Sequence, residues 1–155
     1  MFDDLRDLYQ EVILDHGRKP RNFRRLENAT HHASGDNPLC GDRMELFLAL
    51  EEDGKIADAA FQGRGCAISM ASASLMTETV RGKSPEQAKA LGSAFRTLAM
   101  TGTCPECGAE LADDMERLSP LSGVHEFPSR VKCATLAWHT LNNALDGKQE
   151  DARSE

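Results

Sequence analysis

With 155 residues, the chain has the length of one globular domain, because two separate cores would leave each half near the limit of stability. Its 40% hydrophobic and 28% charged residues exclude a disordered chain, a collagen-like repeat and a coiled-coil rod. A net charge of -7, from 25 acidic against 18 basic residues, argues against undirected binding to nucleic acid or anionic lipid, which needs clustered cations.

The first periodic segment, residues 4 to 16, puts Leu5, Leu8, Tyr9, Val12, Ile13 and His16 on one helical stripe and stops at Gly17 and Pro20. Arg18, Lys19, Arg21, Arg24 and Arg25 follow as a basic linker, read as a solvated, mobile connection or as a docking strip for an acidic partner. Residues 29 to 35 read as an edge strand. Residues 44 to 50 alternate Met44, Leu46, Leu48 and Leu50 against Glu45, Phe47 and Ala49. Asp53-Gly54 then offers a tight turn into a second alternating run, residues 56 to 62, so a hairpin is expected.

From Cys66 the period changes. Ala67 to Val80 suits a helix closed by Gly82, and Ser84-Pro85-Glu86-Gln87 carries the signature of a capped helix start, running to about Met100. Residues 101 to 130, rich in Gly and Pro, read as a long excursion with one short helix near 112 to 118. A last helix from about Arg130 to Leu145 stacks Ala134, Ala137, Leu141 and Leu145. The expected organisation is one domain over residues 1–147, with an insertion at about 101–130 and a frayed charged tail over 148–155.

No apolar run approaches the roughly 18 residues needed to span a bilayer, and the acidic Met1-Phe2-Asp3-Asp4 start is unlike a secretory signal. A cytoplasmic location is therefore expected. There the five cysteines, Cys40, Cys66, Cys104, Cys107 and Cys133, should be reduced, and metal binding or thiol chemistry becomes the question. Cys40 lies in a turn-rich loop before a strand, Cys66 opens a helix, and Cys133 falls in the first turn of the last helix. At a helix start the free amides and the macrodipole favour thiolate, which is both metal ligand and nucleophile.

Asp42 stands two residues beyond Cys40, so in extended chain both side chains point the same way and can share one ion. With Cys66 and Cys133 they would make three thiolates and one carboxylate, a set suited to zinc with a formal charge of about -2. A carboxylate oxygen is the more exchangeable ligand, so such a site looks built to open. Buried, unliganded thiols are the competing reading of the spacing alone.

Three segments carry a resemblance: Asn37-Pro38-Leu39-Cys40-Gly41-Asp42, Gly63-Arg64-Gly65-Cys66-Ala67-Ile68-Ser69-Met70-Ala71-Ser72-Ala73-Ser74, and Phe127-Pro128-Ser129-Arg130-Val131-Lys132-Cys133-Ala134-Thr135-Leu136-Ala137-Trp138. Together they resemble the IscU/NifU-type iron-sulfur cluster assembly family, in its SufU branch. The resemblance implies an α+β fold, a compact SufE/IscU-like sandwich with a three-stranded antiparallel sheet packed against several helices. It implies that Cys40, Asp42, Cys66 and Cys133 converge on a metal. IscU-like scaffolds carry histidine immediately before the third cysteine where this chain has Lys132, and SufU-like members carry an insertion where this chain has residues 101–130.

For that branch the resemblance implies zinc, with Cys40 accepting persulfide sulfur from a SufS-like cysteine desulfurase, whose histidine takes over the first cysteine's place on the ion. The chain would then be an accessory sulfurtransferase rather than a stand-alone enzyme. Downstream SUF components or apo-proteins would be further partners, with no nucleic acid and no membrane. A scaffold that assembles a transient iron-sulfur cluster on the same ligands is the alternative. Arg130 and Lys132 would lie near the site and could steer an anionic persulfide, or simply be solvated.

Cys104-Pro105-Glu106-Cys107 is a separate signal, half of a zinc ribbon without its second half. A metal knuckle with His125 as third ligand, a redox dithiol and an uncommitted loop all remain open. His16, His31, His32 and His139 are read as surface or half-buried residues.

Overall fold

The computed structural model describes residues 2–38, 41–104, 107–147 and 152–153, with the backbone alone at 2–8 and 152–153. The chain runs through helix α1 (Phe2–Arg18), strands β1 (His31–Asn37), β2 (Asp42–Leu50) and β3 (Ile56–Arg64), and helices α2 (Ala67–Val80) and α3 (Pro85–Thr101). Helix α4 (Ala109–Leu118), a 3-10 segment (Ser119–Glu126), helix α5 (Pro128–Leu145) and strand β4 (Ala152–Arg153) complete it. None of the described helices is long and apolar enough to cross a membrane.

Strands β1, β2 and β3 form an antiparallel meander, in the order β3-β2-β1-β4. The three-stranded antiparallel sheet expected from the sequence is present. Strand β4 adds a two-residue parallel pairing beside Gly35 and Asp36, at a place where a frayed tail was expected. The turn after β2 is closed by Gly54 at a φ of 89° and by the Asp53 carboxylate, which accepts from the Lys55 amide at 2.9 Å.

The period-2 pattern explains the packing. Met44, Leu46 and Leu48 of β2 join Ile56, Ala59 and Phe61 of β3 under helices α2, α3 and α5. Phe47 and Ala49 are also buried, on the opposite face with Leu26 and Ala60. The sheet is thus covered on both sides. The cover on the second face comes from the basic linker, which is pinned rather than loose. Phe23 bridges to Phe61, Arg24 pairs with Asp58 at 2.8 Å, Arg21 pairs with Asp15 at 2.6 Å, and Arg25 lies 5.4 Å over the Phe47 ring.

Helix α3 starts as its sequence dictates: Ser84 accepts from the Gln87 amide and Gln87 caps the Ser84 amide in return. Phe95 stacks on Trp138 of α5 at 5.1 Å, and the Ser72 hydroxyl of α2 donates to the Ala134 carbonyl at 2.5 Å. The expected excursion is more helical than its glycines and prolines suggest. Met115, Leu118, Leu121 and Val124 supply enough apolar surface to fold α4 and the 3-10 segment onto the core. Helix α1 is held against α2 by the buried His16, whose Nδ1 lies 2.7 Å from the Ser74 hydroxyl.

Candidate metal centre

The turn end of the β1–β2 hairpin, the start of α2 and the first two turns of α5 meet at one place. Asp42 begins β2 directly opposite Asn37, the last residue of β1. Its side chain is fully buried, and its Oδ1 accepts from the Cys66 backbone amide at 3.0 Å. Gly65 makes this approach possible, since a Cβ there would lie 2.6 Å from Asp42 Oδ1. A missing side chain just beyond the end of β3 therefore admits a carboxylate to the helix start.

Cys66 is the N-cap of α2, and its sulfur accepts from the Ser69 amide at 3.5 Å. This is the helix-opening position expected for Cys66 from the sequence. Cys133 departs from expectation. Helix α5 starts at Pro128 rather than at Arg130, because proline at the first position sets a helical φ without losing a needed amide. Cys133 is consequently in the second turn, fully buried, with its thiol donating to the Ser129 carbonyl at 3.5 Å.

The ligating atoms of Asp42, Cys66 and Cys133 all lie within 4.8 Å of one another. Donor atoms of a tetrahedral zinc site, with bonds of about 2.0–2.3 Å, stand roughly 3.3–3.8 Å apart, so this triangle needs only a small contraction around an ion. One hard oxygen beside soft sulfurs also suits a borderline divalent cation. Cys40, the fourth member of the expected set, lies outside the described residues.

Two further residues complete the surroundings. Asn37, buried at the hairpin's end, directs its Nδ2 to Asp42 Oδ2 at 3.5 Å and to Cys133 Sγ at 3.8 Å. Its Oδ1 has no hydrogen-bond partner among the described residues, an unmet acceptor of the kind found beside an ion or its bound water. By sequence alone Asn37 is only part of a turn; its place opposite Asp42 across a short hairpin connection is the signal that could have marked it. Arg130 is exposed on the first turn of α5, near both sulfurs. The negative charge of Cys66 holds its guanidinium charged even more firmly than usual; burial opposes this, and the charge of Cys133 adds to it less strongly.

The other expected positions separate from this centre. Cys104 and Cys107 are joined in a disulfide, so the expectation of five reduced cysteines does not hold for that pair. His125 turns its Nδ1 to the Ser122 carbonyl at 2.7 Å. His31 and His32 begin β1, at the opposite end of the hairpin from Asp42, and His139 is half-buried on α5.

Fold and centre together define a small α+β protein in which a carboxylate and cysteines from distant segments gather at the end of a hairpin. The chain belongs to the NifU-like N terminal domain family, whose model matches residues 8–150. It is 40% identical over 142 residues to the zinc-dependent sulfurtransferase SufU of Bacillus subtilis, covering 92% of both chains. It is 39% identical over 141 residues to the iron-sulfur cluster assembly scaffold protein IscU of Streptococcus pyogenes, covering 91% of this chain and 84% of the relative. The fold is similar to the crystal structure of a putative iron-sulfur cluster assembly scaffold protein for the SUF system from Fervidobacterium islandicum. That similarity has a TM-score of 0.78 and 31% identity, over 87% of this chain and 94% of the other.

Proposed function

We propose that this protein works in iron-sulfur cluster assembly as a zinc-dependent sulfur acceptor of the SufU kind. In this reading Cys40, Asp42, Cys66 and Cys133 hold one zinc ion, and Cys40 receives sulfur from a cysteine desulfurase. The observation that carries it is the meeting of Asp42, Cys66 and Cys133 within 4.8 Å, from three segments far apart in sequence. The SufU relative, 40% identical over nearly its whole length, supports zinc over other ions.

Zinc, when bound, would keep its cysteine ligands deprotonated at neutral pH. The chain's own residues supply the rest. The Cys66 amide and the Asn37 side chain orient the Asp42 carboxylate from two sides, which fixes an oxygen ligand that exchanges more readily than sulfur. Arg130 offsets one of the formal negative charges gathered by three thiolates, one carboxylate and a divalent cation. Its exposed guanidinium can also attract an anionic persulfide arriving at the sulfurs.

The transfer itself is a thiol–disulfide type exchange. The Cys40 thiolate attacks the terminal sulfur of the donor's persulfide; a new sulfur–sulfur bond forms on Cys40, the donor's bond breaks, and the donor cysteine leaves as thiolate. No net oxidation occurs. The test is to incubate the protein with a cysteine desulfurase and cysteine, then locate the added sulfur by peptide mass spectrometry. One extra sulfur on the Cys40 peptide is expected; sulfur found only on other cysteines, or on none, contradicts the reading.

A second reading is a scaffold that carries an iron-sulfur cluster on the same ligands, favoured by the IscU name of the Streptococcus relative. Anaerobic reconstitution with iron and sulfide, followed by transfer to an apo-ferredoxin, separates the two. A cluster that forms and transfers supports the scaffold, and failure to form one while zinc stays bound supports the sulfur acceptor.

A further inference from the structure

The second cysteine pair lies where one helix ends and another begins. Helix α3 closes at Gly102, left-handed at a φ of 86°, whose amide donates to the Leu98 carbonyl at 2.7 Å. Beyond it the Cys107 amide donates to the Cys104 carbonyl at 3.2 Å, and the two sulfurs are bonded to each other. Both cysteines are half-buried and pack on the main core, so the pair is built into the fold.

The start of helix α4, immediately after the pair, bears on its chemistry. The N-cap of α4, Gly108, gives no side-chain cap. Of the first amides of the helix, that of Leu111 donates to the Gly108 carbonyl at 3.1 Å, so the cysteine pair directly precedes a helix start held by backbone alone. Two cysteines spaced by two residues before a helix start form an easily closed and easily opened disulfide.

A metal knuckle fits less well. His125, the third ligand considered from the sequence, has its ring against Gly102, with a Cβ there meeting it at 2.8 Å, and spends Nδ1 on the Ser122 carbonyl. Among the described residues, the cysteine pair has no third histidine, cysteine or carboxylate gathered with it as Asp42, Cys66 and Cys133 are gathered.

We propose that Cys104 and Cys107 are a reversible dithiol–disulfide site, separate from the metal centre, that exchanges with thiols and disulfides of the glutathione type. The oxidised pair ties the end of α3 to the start of α4. In oxidation, one cysteine thiolate attacks a glutathione disulfide, forming a mixed disulfide and releasing one glutathione thiolate. The second cysteine then attacks the protein-side sulfur and releases the other. Two electrons pass from the dithiol to the glutathione disulfide, and two glutathione molecules result.

Opening the pair removes the covalent tie at the uncapped start of α4. The helix then depends on Met115 and Leu118 in the core and on the Lys83–Asp114 ion pair at 2.9 Å. The reduced form should exchange amides over residues 103–112 several-fold faster, while α2 behind Cys66 is unchanged.

The experiment equilibrates the full chain in glutathione buffers of graded oxidised-to-reduced ratio, quenches with acid, alkylates free thiols, and measures both peptide masses and amide exchange. The expected result is a sigmoidal, two-electron loss of alkylation at Cys104 and Cys107 together, reversed by excess dithiol, with the amide change confined to the α3–α4 turn. A paired Cys104→Ser, Cys107→Ser variant should keep its metal content and lose the redox-dependent amide change. Full alkylation of the pair at every ratio overturns the proposal. So does a second tightly bound zinc ion that disappears in the paired variant, which would make the turn a metal knuckle.

Discussion

The two cysteine groups of this molecule are built in opposite ways. Asp42, Cys66 and Cys133 come from a strand, a helix start and the second turn of another helix, and only the tertiary fold brings them together. Cys104 and Cys107 are neighbours in sequence and satisfy each other through a local bond. The first group has its charge managed by surroundings: the Cys66 amide, the Asn37 side chain and the Arg130 guanidinium all point to it. The second rests on the core through two half-buried cysteines. Sulfurs kept apart by separate elements can hold an ion between them, whereas sulfurs on one tight turn more readily find each other.

That contrast can be broken most sharply at Gly65. Alanine there would put a methyl group 2.6 Å from Asp42 Oδ1 and force the carboxylate off the Cys66 amide. Zinc retention against a competing chelator should fall about 10–100-fold, the usual cost of disturbing a ligand's orientation. The Cys104–Cys107 disulfide should be untouched, as read by thiol counting. Asp42→Asn should weaken zinc to a similar degree while keeping the shape.

Arg130→Gln tests the charge on the same group with a smaller expected effect. Removing the cation beside Cys66 and Cys133 should slow sulfur transfer from an anionic donor by about tenfold at low salt, with less loss at high salt. Arg130→Lys should restore most of the rate if charge is what matters. A variant equal to the parent at all salt concentrations would leave Arg130 a solvated residue.

The smallest effect lies away from both groups, in the buried His16 that ties α1 to α2. Burial first, and the nearby Arg21 second, push its pKa below the ordinary 6.5, with Glu78 and Asp15 opposing. The unfolded chain therefore takes up a proton at this histidine before the folded one does. Its contribution to stability is complete above about pH 6.5 and declines as the solution is acidified below that. Denaturant midpoints between pH 7.5 and 5.5 should fall less steeply for His16→Gln than for the parent.

Much of this is legible in the sequence because local rules decide it. The alternation over residues 44–50 and 56–62 marks the hairpin, and the Ser84-Pro85 start marks α3. Where local rules are weak, the expectation drifts from the structure. Residues 101–130 look loose by their glycines and prolines, yet Met115, Leu118, Leu121 and Val124 bury on the core and order the segment. The basic linker looks free because its partners, Asp15, Asp58 and Phe47, lie on other elements.

The candidate site divides along the same line. Motif order points to Asp42, Cys66 and Cys133 together, but nothing in the spacing reveals that Asn37 faces Asp42 or that Gly65 leaves room for its carboxylate. Those are consequences of strand register and of a helix start lying against it. Cys133 sits a turn deeper in its helix than expected because Pro128 extends the helix backwards.

The most direct test of the central claim is diffraction from the purified, zinc-loaded protein at wavelengths on either side of the zinc absorption edge. A single anomalous peak enclosed by Asp42, Cys66 and Cys133, with the Cys40 sulfur completing the set, is the expected result. A peak at Cys104 and Cys107 instead, or none among Asp42, Cys66 and Cys133 in crystals that retain zinc, would contradict it.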